Sequence, residues 1–103
     1  MRSSRATALC GLLLALALPQ SAAVASSGQF VWEGPERQTY SVENPPDNRC
    51  LGMNQEARAP RNETNRPLTV YSRKDCKGKS RRLAPGQVAP RSVVFKSVKF
   101  NPR

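Results

Sequence analysis

Apolar residues in this chain recur at every second position in short runs, and no window repeats them at the spacing of a helix face. Phe30 and Trp32 mark a first extended stretch. In a second, Gln38 to Val42, Tyr40 and Val42 alternate with polar neighbours, which predicts a half-buried strand. Arg49 to Met53 predicts a strand that carries Cys50 inward. Leu68 to Ser72 predicts another, with Leu68 and Val70 on one face and Thr69 and Tyr71 on the other. Ser80 to Leu83 returns as a strand, and Ser92 to Phe100 is the last. Its apolar phase changes midway: Val93 and Phe95 fall on one alternation, Val98 and Phe100 on the other, so a bulge or a change of partner is expected. Between these runs, Asn44-Pro45-Pro46-Asp47-Asn48 predicts a turn, Pro60 and the polar stretch Asn62 to Pro67 break the chain, Arg73 to Lys79 is a polar loop containing Gly78, and Pro85-Gly86 is a turn. Glu56-Ala57-Arg58 is the one place suited to a single turn of helix. With 9 prolines, 6 glycines and strand signals at roughly 8–12-residue intervals, the expected class is all-β, a small sandwich or barrel forming a single domain.

The first residues follow a different logic. Arg2 and Arg5 supply positive charge, Leu9 to Leu18 is an apolar run interrupted by Gly11, Pro19 ends it, and Ala23-Val24-Ala25 offers small residues to a signal peptidase. Residues 1–25 are therefore expected to be a signal peptide and residues 26–103 a small secreted β domain, with 26–29 a frayed terminus. The run falls short of the roughly 20 apolar residues of a spanning helix, so no membrane span is expected in the mature form. Cys10 lies inside the run, where a lipidation cysteine would not sit. Export, with the Ala- and Arg-rich composition, points to a bacterial extracellular protein.

Charge and cysteine content change the picture further. The chain has 17 Lys+Arg against 7 Asp+Glu, and two arginines leave with the signal, so the mature domain carries 15 against 7, a net +8. A domain of this size buries only about 60% of its unfolded surface and usually needs a staple. Once Cys10 is gone, Cys50 and Cys76 remain, and in an exported protein they most simply pair. There is no histidine, and two cysteines so far apart do not make a zinc or redox pair. The missing histidine also removes the commonest general base. The seven carboxylates Glu33, Glu36, Glu43, Asp47, Glu56, Glu63 and Asp75 include no close pair suited to hydrolysis, so a non-enzyme without a cofactor is expected. Arg73, Lys74, Lys77, Lys79, Arg81 and Arg82 crowd into ten residues with Asp75 as the sole acid. They form a candidate patch for a polyanion, set against the plainer reading of a solvated loop. Tyr71 is the one aromatic nearby, so no stacking platform for nucleic acid is evident. Asn62-Glu63-Thr64 has the form of an N-glycosylation acceptor and reads as a turn.

From Tyr71 the spacing becomes more specific. Tyr71, Cys76 five positions on and Gly78 seven positions on resemble the folded hairpin of the βγ-crystallin Greek key. In that family an aromatic residue opens the hairpin, a bulky residue follows, and a glycine supplies the positive φ of the tight fold. Ser97-Val98-Lys99-Phe100 is similar to the family's closing strand. The resemblance implies a small Greek-key sandwich in which Ser97 bonds back to the hairpin and Cys76 lets a disulfide pin it. It covers residues 68–100. Residues 28–62 show no such spacing, and Arg58-Ala59-Pro60-Arg61-Asn62 echoes the closing strand only faintly. The family's calcium stretch corresponds to Ser92-Val93-Val94-Phe95-Lys96-Ser97, which lacks both acidic or amide positions, so no metal is expected. Some exported bacterial members are proteinase inhibitors. The resemblance thus implies a binding or inhibitory module that offers Arg73 to Lys79 to a secreted protease. The alternatives are a cationic cell-envelope-binding or antimicrobial protein whose partner is an anionic polymer, and a structural secreted protein without a specific partner. A monomer is expected.

Overall fold

Six strands carry the alternation: β1 Gly28–Glu33, β2 Thr39–Glu43, β3 Cys50–Thr64, β4 Leu68–Arg73, β5 Lys77–Leu83 and β6 Val94–Phe100, with a 3-10 turn, Lys74–Cys76, between β4 and β5. They are taken from a computed structural model that describes residues 25–103; the expected signal segment up to Val24 lies outside the described residues. Every strand pair is antiparallel, and the order across the ladder is β2-β1-β3-β6-β4-β5. The chain is therefore all-β.

β3 makes the ladder fold over. Its start pairs with β6, Cys50 opposite Lys99, Leu51 opposite Val98 and Gly52 opposite Ser97. Its end runs along β1, from Arg58 opposite Glu33 to Thr64 opposite Gly28. Between them the register against β6 shifts and Met53 to Glu56 leave that ladder. The two halves face each other across one core. Phe30 of β1 meets Phe95 and Phe100 of β6 edge-on at 5.9 and 5.3 Å between ring centroids, although β1 and β6 are not neighbours in the sheet. Ala57, Leu68, Val70, Leu83, Ala89 and Val98 complete the buried cluster. The phase change read in the last strand is present: Ser97 and Val98 are adjacent and both fully buried.

Several sequence expectations need correction. Glu56-Ala57-Arg58 is extended, not helical, and Pro60 lies within β3 instead of ending it. The reason is a bulge: opposite Val31 to Glu33 the register slips, Ala59 takes φ 55°, and the missing N–H of Pro60 falls where the ladder asks for none. Asn62-Glu63-Thr64 closes this strand and is not a turn. Residues 26–29 are not frayed. Ser26 is 1% exposed, its N–H donates to Pro45 O at 3.0 Å, and Gly28 already begins β1. The Ser26 hydroxyl also donates to Asp47, a buried carboxylate held as well by the Asn101 side-chain amide. Cys50 points outward and Leu51 inward, because β3 registers Leu51 with buried Val98. The last strand starts at Val94.

Candidate functional site

The hairpin β4–β5 sits at one edge of the ladder and presents the basic cluster. The expected long loop Arg73 to Lys79 is much shorter: β4 runs through Arg73, β5 starts at Lys77, and only Lys74–Cys76 turn. That turn packs down on the sheet. Asp75 and Cys76 both adopt left-handed backbone, φ 61° and 55°. The Ser97 hydroxyl accepts from Cys76 N–H at 2.9 Å and donates to Arg73 O at 2.6 Å, so one buried side chain clamps both ends of the turn. Cys76 is joined to Cys50 on the outer side of β3. On the other flank the Ser72 hydroxyl accepts from Lys79 N–H at 2.9 Å. Tyr71 is half-buried and lies between Ser80 and Ser97 in the register.

Gly78 is what lets the strand leave this turn. It takes φ 87°, and a Cβ there would overlap the Ser72 hydroxyl. Gly78→Ala is expected to cost about 1–2 kcal/mol, since positive φ and a steric overlap coincide. Urea denaturation of the oxidised variant checks this; a change below about 0.5 kcal/mol would mean the hairpin relaxes without loss.

Arg73, Lys74, Lys77, Lys79, Arg81 and Arg82 are all exposed. None belongs to an ion pair among the described residues. The pairs that form there are Arg58 with Glu56, Arg61 with Glu63, Arg66 and Arg103 with Asp47, and Arg91 with Glu33. Acid and base thus meet elsewhere in the fold, while the hairpin keeps its charge unneutralised. No protein family, curated protein or solved structure matches this chain.

Two features of the site escaped the sequence. Lys99 of β6 stands opposite Thr69, which stands opposite Arg82, so the cationic surface extends across three strands on one face. A groove of about 190 Å³ also runs beside β5, lined by Ser72, Lys79, Ser80, Arg81 and Ser92 with Val93 and Val94 behind them. Ser72 could be placed by alternation, on the face of Val70. Ser92 carries no sequence signal, because the Pro85-Gly86 turn and the segment after it bring it back against the hairpin. A second, apolar groove of about 380 Å³ lies between Phe30, Trp32, Tyr40, Val42, Leu51 and Met53, and none of the six cations lines it.

Proposed function

We propose that this chain is a small exported binding module that takes an anionic partner through the β4–β5 hairpin. The observation that carries the reading is the contrast in pairing: four of the seven acids hold arginines elsewhere, and the six cations of the hairpin are left free among the described residues. A patch of one sign raises the local concentration of a polyanion and speeds its capture. An anionic cell-envelope polymer fits such a surface and the expected export.

The βγ-crystallin-like reading gains support from three features. Gly78 takes positive φ, Ser97 bonds to both ends of the hairpin turn, and the two halves pair alike. The end of β3 lies beside β1, itself beside β2, as β6 lies beside β4, itself beside β5. A narrower second reading, proteinase inhibition, is favoured by the anchoring of the turn through both Cys76 and Ser97, which lowers the ordering cost of binding.

One experiment separates these readings. Retention on an anionic cell-wall preparation is measured in about 20 mM and about 0.5 M salt, where the screening length falls from about 20 Å to about 4 Å. Inhibition of a panel of secreted proteases is measured in parallel. Retention at low salt, release at high salt, and loss of retention in the combined variant Lys77→Gln, Lys79→Gln, Arg81→Gln, Arg82→Gln are expected. Equal retention by that variant, or none by the parent at low salt, overturns the anionic-partner reading. Salt-insensitive protease inhibition would favour the inhibitor reading instead.

A further inference from the structure

β5 is an edge strand. Its one ladder neighbour is β4, and no strand among the described residues lies on its other side. Every residue from Lys77 to Arg82 is exposed, and only Leu83 reaches the core. In an antiparallel strand alternate residues point their N–H and C=O to opposite sides, so half of this backbone faces solvent as a free template for another strand. Proteins commonly blunt such an edge with lysines, which repel a second copy of the same edge. The same charges select a partner of opposite sign. Lys79 and Arg81 stand two positions apart and so leave the same face of β5. Arg81 registers with buried Val70, which puts this face on the core side of the hairpin, where the strand overhangs it.

The groove beside that overhang is rich in donors. Lys79 and Arg81 bring charged donors. The Ser72 oxygen accepts from Lys79 N–H, which leaves its own hydrogen available, and the Ser92 hydroxyl makes no hydrogen bond among the described residues. No carboxylate among the described residues lines the groove. Cations and hydroxyl donors with no acidic side chain present a surface suited to a carboxylate.

We infer that β5 is a docking edge for an extended acidic peptide segment of a protein partner, which adds as a seventh strand and places a carboxylate side chain in the groove of Lys79, Arg81 and Ser92. This rests on the anionic-partner reading and narrows it. Main-chain pairing supplies the contact area, and alternate acidic side chains supply the selection. A flexible anionic polymer would meet the same cations without touching the backbone.

The test uses the oxidised protein, labelled with nitrogen-15, and a capped seven-residue peptide of alternating Glu and Thr. On binding, those β5 amides that do not face β4 are expected to slow in hydrogen exchange by about tenfold or more, in a two-residue period. Methylating alternate amides of the peptide, on the side that meets β5, is expected to abolish binding. Lys79→Gln and Arg81→Gln are each expected to weaken it by about tenfold, and Ser92→Ala by about threefold. Peptide binding that leaves β5 exchange unchanged overturns the inference and leaves the anionic-partner reading standing. Retention on cell wall with no peptide binding does the same. Protection of β5 in the free protein that grows with its concentration also overturns it, since the edge would then belong to a second copy. Failure of peptide and cell wall alike removes the underlying reading as well.

Discussion

Replacing both Cys50 and Cys76 with serine is expected to lower the stability of the domain by roughly 3–4 kcal/mol, which is the chain-entropy value for the 26-residue separation the bond closes. Cys50 is exposed and Cys76 half-buried, so little packing is lost and the effect falls mainly on the unfolded chain. The size of the loss matters because domains this small hold only about 5–10 kcal/mol in total. Changing both residues avoids leaving a free thiol. Urea unfolding of parent and variant, with the slope compared to exclude a change in unfolded compactness, reads the difference. A loss under about 1 kcal/mol would show that Ser97 and the core hold the hairpin without the bond. The variant should also lose binding through the hairpin more than its remaining stability explains, because the turn would then have to be ordered on contact.

Asn62→Ala is expected to cost about 3 kcal/mol, a large effect for a polar side chain. Asn62 is 0% exposed. Its amide nitrogen donates to Leu83 O at 3.0 Å and Arg66 O at 2.8 Å, and its oxygen accepts from Thr64 N–H at 2.9 Å and from the Thr64 hydroxyl at 2.7 Å. Removing it strands Leu83 O and Thr64 N–H, each at about 1–3 kcal/mol when no water reaches them. Asn62→Asp separates the two sides of the amide, because it keeps the acceptor bonds and loses both donor bonds. Chemical denaturation of both variants checks the assignment. Alanine within about 1 kcal/mol of the parent would mean that water enters and replaces the amide.

The fold was legible wherever alternation and turn residues agreed. β4 emerges from Leu68 and Val70, the turn at Pro85-Gly86 from its own dipeptide, and the irregularity in β6 from the clash of phase between Phe95 and Val98. It was not legible where tertiary pairing overrides local chemistry. Pro60 reads as a breaker in sequence, but a bulge opposite Val31 to Glu33 removes the demand for its missing donor. Ser26 and Asn62 read as terminus and turn, and both are buried because distant residues, Pro45 and Leu83, offer them partners. The face of Cys50 depends on which strand β3 joins, which no local pattern states. In the candidate site the six cations were plain from their spacing. Lys99 and Ser92 were not, since only the ladder and the path of residues 84–93 bring them to the hairpin.

The buried position of Asn62 also decides how the protein behaves in a host that attaches sugars to Asn-X-Thr as chains enter the secretory route. Once folded, the domain shields that amide completely, so an oligosaccharide can reach it only on the nascent chain, ahead of folding. A glycan placed there occupies the interior that β3 must close, and the modified fraction is shut out of the native state. Production in such cells becomes a race between a transferase and the closing of the sheet.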